Sequence, residues 1–190
     1  MKLIFLLAAA AAFAGPPPTP VLIAYHSETG HTAKLAEAVH AGAASVTGVA
    51  ATLRKTGEVK DEEIAQAGGI LVGTPVHWSN LSAETKRFLD RIGAVLGKDK
   101  AIGEGRTAGA FCTAGGVSMG KEMARLSILS AFLTMRFIVI GGVDAHGYGT
   151  LGPEATTGKE DPGVSEKELE EARRFGERFA QMTRQIRAAR

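Results

Sequence analysis

Six consecutive residues, Ser27-Glu28-Thr29-Gly30-His31-Thr32, carry three hydroxyls and a glycine between an apolar run and a helical pattern. A strand that turns into a helix through such a loop presents free backbone N–H groups and the positive end of the helix dipole. The hydroxyls of Ser27, Thr29 and Thr32 can each donate to a phosphate oxygen, and Gly30 lets the backbone wrap closely. The loop has no Lys. It therefore lacks both the G-x-x-x-x-G-K-[ST] of triphosphate binders and the G-x-G-x-x-G of dinucleotide binders. Hydroxyls without a cation suit a lone terminal phosphate better than a metal-bound triphosphate. Simple N-capping would need only one of the three hydroxyls.

Two later stretches have the same look of strand ends aimed at a ligand. Gly73-Thr74-Pro75-Val76-His77-Trp78-Ser79-Asn80 follows an apolar run. Pro75 is expected to break that strand, so that His77, Trp78 and Asn80 project from a loop. Trp78 is the only tryptophan of the chain. It reads either as core filler or, better, as a flat wall beside a ring system. The third stretch, Cys112-Thr113-Ala114-Gly115-Gly116-Val117-Ser118-Met119-Gly120, leaves backbone N–H groups accessible to the carbonyl oxygens of a planar ring.

These loops need a scaffold that brings strand ends together. Short apolar runs at Val21–Tyr25, Val49–Arg54, Gly68–Thr74, Thr107–Thr113 and Arg136–Gly142 alternate with helical patterns. The helices run from Thr32 to about Ser45, over Asp61–Gln66, after an N-cap at Ser82, over Lys121–Leu133 and over Glu166–Ala188. Strands alternating with helices imply an α/β domain with a parallel sheet covered on both faces. Ligands of such sheets sit beyond the carboxyl ends of the strands. The long Gly-, Pro- and Thr-rich segment Val143–Ser165 reads as a functional or mobile loop.

Composition narrows the function further. The chain has 190 residues, which suits one domain. A formal charge of +2, from 22 basic and 20 acidic residues, gives no concentrated basic face for nucleic acid. The single cysteine, Cys112, cannot form an internal disulfide and reads as a buried core side chain. Residues 1–14 (MKLIFLLAAAAAFA) pair one Lys with an apolar run too short to span a bilayer, which takes about 20 residues. Ala12-Phe13-Ala14 has the small-x-small form of a signal cleavage site. The expected organisation is a signal peptide at 1–14, a Pro-rich spacer at 15–20 and one domain over 21–190. The mature protein is then secreted or periplasmic by a Sec-type route, without stable membrane insertion. The other reading, an uncleaved anchor or a mis-assigned start, would leave it on the membrane or in the cytoplasm. No twin Arg and no lipid-anchor Cys flank the apolar run.

On these residues the chain from about Val21 to Gln181 resembles the flavodoxin-like fold. It is most similar to NAD(P)H:quinone oxidoreductases of the tryptophan-repressor-binding-protein type. Ser27–Thr32 stands where that fold has its S/T-x-T-G-x-T phosphate loop. Gly73–Asn80 resembles the G-T-P-x-x-[FW]-x-N segment, which Ser82 and Lys86–Arg91 continue. Phe111–Gly120 resembles the Gly-rich loop. The resemblance implies a three-layer α/β/α sandwich with a five-stranded parallel sheet in the order 2-1-3-4-5. It implies non-covalent FMN, held by Ser27, Glu28, Thr29, Gly30, His31 and Thr32 at the phosphate. Pro75, Val76, His77, Trp78, Ser79, Asn80, Thr113, Ala114, Gly115 and Gly116 would line the ring. NAD(P)H is the implied donor and a quinone or similar small molecule the acceptor.

The chain also departs from that family. Lys55–Gly68 is short where the quinone reductases carry an insertion that supports tetramers, so homo-oligomerisation stays open. Met135 stands near the position of an active-site His, and Leu96-Gly97 where a Trp lines the substrate pocket. No side chain is singled out as catalytic; His77 is a candidate to steady charge on the reduced ring, and His146 or Tyr148 a candidate cap for it. Three functions are weighed: a two-electron oxidoreductase, a flavodoxin carrier without turnover, and a flavin-free scaffold. Carriers are strongly acidic around the flavin and this chain is not, while the complete phosphate loop speaks against the scaffold.

Overall fold

The computed structural model describes residues 16–98, 102–117, 119–143 and 150–190. The expected signal peptide, and His146 and Tyr148, lie outside the described residues. No helix among the described residues is long and apolar enough to cross a membrane.

The apolar runs form the expected sheet. β1 (Thr19–Tyr25) is its centre, and it starts two residues before the expected domain boundary. It pairs in parallel with β2 (Val49–Lys55) on one side and β3 (Gly69–His77) on the other. β3 continues the parallel sheet to β5 (Thr107–Ala114), from Gly69 opposite Thr107 to Pro75 opposite Thr113. Between them β4 (Asn80–Leu81) folds back antiparallel on the end of β3.

Two expectations are corrected here. Pro75 does not break its strand: β3 runs through it to His77. β1 is already paired out at Gly73, so Pro75 lies where β3 has one strand neighbour fewer and a missing N–H is tolerated. The fifth strand is also not one run. β6 (Ile138–Val139) pairs with the start of β5, and β7 (Glu154–Thr156) with its end. The chain leaves the sheet at Gly141-Gly142, where Arg178 donates to the Gly141 carbonyl, and returns at Glu154. The parallel order is thus β2-β1-β3-β5-β6, with β7 on the far half of β5.

Alternation along the strands sends side chains to two cores. Val21 and Ile23 face α1 (His31–Ala44) and α5 (Glu166–Ala188), packing with Leu35, Val39, Phe175 and Phe179. Leu22 and Ala24 face the other layer, formed by α2 (Asp61–Gln66), α3 (Ala83–Leu96) and α4 (Lys121–Thr134). There Ile70, Phe88, Ile92, Ile128 and Phe132 are buried. Each such side chain contributes about 1.5–3 kcal/mol on burial. α1 and α5 approach so closely that a Cβ on Gly176 would stand 1.9 Å from the Val39 carbonyl oxygen.

Helix ends follow local chemistry. Ser82 caps α3 by accepting from the Thr85 amide, and Ser165 caps α5 with Glu168 reaching back to the Ser165 amide. Cys112 is fully buried, and burial pushes its thiol up to about 12. It is a core side chain, not a nucleophile.

Candidate functional site

The first strand end opens α1 without a side-chain cap. Gly30 sits at φ +96°, a conformation that favours glycine, and its amide donates to Ser27 Oγ at 3.2 Å. The first amide of the helix to find a helical acceptor is Lys34, bonded to the Gly30 carbonyl. The amides of His31, Thr32 and Ala33 have no partner among the described residues, and this is the arrangement that receives an anion.

The second strand end is a tight hairpin. His77 pairs with Asn80 across Trp78 (φ +50°) and Ser79 (φ +62°). Two successive left-handed residues make the turn that matches strand twist, and each costs about 1–3 kcal/mol in a non-glycine residue. The hairpin is pinned from behind: Asn80 Oδ1 accepts from Ser127 Oγ on α4 at 2.9 Å. Ser79 packs on Gly120, where a Cβ would meet its Cα at 2.4 Å. Trp78 therefore stands fully exposed at the tip.

The third strand end, at Thr113–Gly115, is crossed by the segment after β7. The Thr157 amide donates to the Ala114 carbonyl at 2.9 Å. Gly115 faces open space, while Met119 lies over Gly116.

These ends converge on a cavity of about 120 Å³. It gathers ten of the residues expected from sequence: Glu28, Thr29, His31, Thr32, Pro75, Val76, His77, Thr113, Ala114 and Gly115. Outside its lining are Ser27, Gly30, Trp78, Ser79, Asn80 and Gly116. Ser27 borders a separate cavity of about 440 Å³ beyond the ends of β1 and β2. Thr157 was missed by sequence reasoning; its only signal was its place in the long Thr-rich segment. Across the cavity Thr32 Oγ1 and Thr113 Oγ1 share a hydrogen bond of 2.8 Å. His31 ties the loop together, with Nδ1 2.8 Å from Thr29 Oγ1 and Nε2 2.7 Å from Asp161 of the crossing segment.

The residues fit FMN. Three amides at the start of α1 without partners among the described residues lie beside the Thr32–Thr113 hydroxyl pair, which keeps one free proton, a set that could hold a phosphate. The cavity is large enough for the phosphate and the start of the ribityl chain, and smaller than the 300 Å³ or more that a whole drug-sized ligand needs. The three-ring system of a bound FMN would therefore extend beyond this cavity. Trp78, next in the chain to the lining residue His77, is exposed, as are Val117 and Met119 of the Gly-rich loop. Behind the site Lys121 and Arg125, both buried, share the Glu154 carboxylate, and Lys121 Nζ also donates to Thr156 Oγ1 at 2.6 Å. This cluster locks the start of α4 to β7 and so fixes the Gly-rich loop.

The chain is similar to known proteins over most of its length. Residues 20–147 match the family described as NADPH-dependent FMN reductase. A flavodoxin of Aquifex aeolicus is 37% identical over 162 residues, 85% of each chain. An NAD(P)H dehydrogenase (quinone) of Solidesulfovibrio magneticus is 28% identical, over 88% of this chain and 99% of that one. Among solved structures, the WrbA-like flavodoxin of Agrobacterium tumefaciens superposes with a TM-score of 0.70 at 25% identity, covering 88% and 98% of the two chains. The chain belongs to the NADPH-dependent FMN reductase family, and is a flavodoxin-like, FMN-binding oxidoreductase.

Proposed function

We propose that the protein is an NAD(P)H:quinone-type oxidoreductase that moves two electrons from NAD(P)H to a quinone or a similar flat acceptor. The observation that carries this reading is a set of exposed apolar side chains on two of the three loops that build the site. Trp78, on the hairpin after the lining residue His77, and Val117 and Met119, on the Gly-rich loop after the lining residue Gly115, are 101%, 78% and 53% exposed. Apolar, aromatic surfaces beside a cofactor suit a planar small molecule. A protein-docking carrier would surround its flavin with charge.

When bound, FMN supplies the two-electron chemistry, and the protein supplies orientation and electrostatics. The amides of His31, Thr32 and Ala33 would hold the FMN phosphate. Thr32 and Thr113 fix the first and third loops against each other. His77, which lines the cavity, would offer a ring nitrogen to negative charge on a bound, reduced flavin. Two relatives bear different names, flavodoxin and quinone dehydrogenase, and the flavodoxin relative keeps the carrier as the second reading. By its N-terminal segment we place the mature protein outside the cytoplasm, cleaved near Ala14.

Anaerobic mixing of the FMN-loaded protein with NADPH tests the first half of the reading. Rapid bleaching of the oxidised flavin band at substoichiometric enzyme-to-donor ratio is expected. An unreduced flavin after minutes with excess NADPH and NADH contradicts it.

A further inference from the structure

Seven large apolar side chains stand exposed among the described residues, and all belong to α4 or to segments tied to it. Met123, Leu126 and Leu133 lie on the helix itself, at 54%, 45% and 60% exposure. Val117 and Met119 lead into it, and Ile138 follows it in β6. The hairpin that carries Trp78 is held to it by the bond between Asn80 and Ser127. No charge interrupts the outer face of α4 from Met123 to Leu133: the one charged residue of that span, Arg125, is buried against Glu154. α3 and α5 instead carry exposed ion pairs such as Lys86–Asp90 and Arg173–Glu170. A monomer rarely leaves so continuous an apolar face to water. We infer that α4 is the interface of a dimer, in which a second copy of this chain packs its own α4 antiparallel on the first.

The spacing of the face fits a copy of itself. Met123, Leu126, Ser130 and Leu133 are all exposed and follow one another at alternating steps of three and four residues. That alternation makes the seam along which two helices pack. A two-fold interface presents the same patch twice, so the patch must complement itself. This one does, because it reads alike in both directions about the level of Ile128. In the antiparallel pair Met123 faces Leu133 of the other copy, and Leu126 faces Ser130. A large side chain thus meets a small one at the centre, which lets the two surfaces interdigitate.

Charge sets the direction. Glu122 stands exposed just before the apolar stripe, and Arg136, 59% exposed, just after it. The antiparallel pair brings Glu122 of each copy to the end that carries Arg136 of the other. A parallel pair would set Glu122 against Glu122 and Arg136 against Arg136, and like charges facing across an interface are costly. Arg136 already lies 3.7 Å from Glu104, and its five N–H donors can serve a second carboxylate as well. The start of α4 continues the Gly-rich loop, so the Leu133 end of the second copy lies toward Met119 and borders the flavin site. The pairing itself does not depend on the reaction proposed above.

Sedimentation equilibrium of the full chain tests the pairing, and it needs neither flavin nor substrate. A mass about twice the 19.8 kDa of one chain is expected, with a dimer Kd on the order of micromolar or tighter. Leu126→Glu and Leu133→Glu change exposed positions and should leave the circular dichroism as it is. Each should weaken association by about a hundredfold or more, because the new carboxylate would be buried without a partner. Glu122→Arg and Arg136→Glu should each weaken it several-fold, and the two together should restore it. Lys34→Glu, on the outer side of α1, should leave it unchanged. A chain that stays monomeric at about 100 µM overturns the inference. So does a dimer that Leu126→Glu and Leu133→Glu leave equally tight, whether residues 1–14 or another face holds it. A double charge reversal no tighter than the single ones overturns the antiparallel arrangement.

Discussion

Thr32 Oγ1 and Thr113 Oγ1, 81 residues apart, meet at 2.8 Å in a buried hydrogen bond that closes the phosphate cavity. The bond joins the start of α1 to the end of β5, so the two loops cannot move apart independently. One of the two hydroxyls spends its proton on this bond, and the other keeps a proton that a phosphate oxygen can accept.

Removing one of these hydroxyls should therefore be felt by the cofactor. Thr32→Val keeps shape and burial but loses a hydrogen bond to a charged group, worth about 1.5–3 kcal/mol. FMN affinity, read by quenching of flavin fluorescence, should fall by about tenfold or more. An unchanged Kd would mean that the backbone amides hold the phosphate without help.

Trp78 stands at the hairpin tip in a left-handed conformation and packs against nothing beneath it. Trp78→Gly should relieve strain and raise stability by up to about 1 kcal/mol. The same change should raise KM for a quinone several-fold while leaving the Kd for FMN in place. Thermal unfolding and steady-state kinetics read the two effects separately.

The Lys121–Glu154–Arg125 cluster behaves differently from the exposed pairs on the helices. Glu154→Gln leaves two buried cations without their carboxylate. Breaking such a pair from one side costs about 3–5 kcal/mol, and the partial exposure of Glu154 at 33% places the loss toward the lower figure. Denaturant unfolding should show it. A loss no larger than that of Lys86→Ala, in an exposed pair with Asp90, would contradict the assignment.

Glu168 gives the stability its acid limb. Burial alone would raise its carboxyl, but hydrogen bonds from Ser165 and the Thr156 amide outweigh that and hold it below 4.5. A carboxyl lowered on folding adds stability that is complete above the ordinary value and is lost as pH falls through the folded one. Glu168→Gln should flatten stability against pH over about pH 3–5, with little change in slope above pH 6. An identical acid slope in the two proteins would contradict it.

Much of this was legible in the sequence because it is local. Ser27–Thr32 announces a phosphate loop through hydroxyl spacing and Gly30. The apolar runs Val21–Tyr25 and Thr107–Thr113 announce buried parallel strands, and Ser82 its own helix cap. What failed to show was set by pairing across the sheet. Pro75 reads as a breaker until β1 is seen to end beside it, and Arg136–Gly142 reads as one strand although Glu154–Thr156 completes it. Trp78 reads as a wall; its exposure follows from the two-residue turn between His77 and Asn80. Thr157 depends on distant segments meeting, for which no spacing rule exists.

The most direct test of the oxidoreductase reading is steady-state NADPH and NADH consumption by the FMN-loaded protein with a water-soluble quinone. Turnover that requires both FMN and quinone, and that Trp78→Gly shifts in KM, is the predicted result. A protein that binds FMN fully yet consumes neither nucleotide in the presence of quinone would contradict it and leave a carrier.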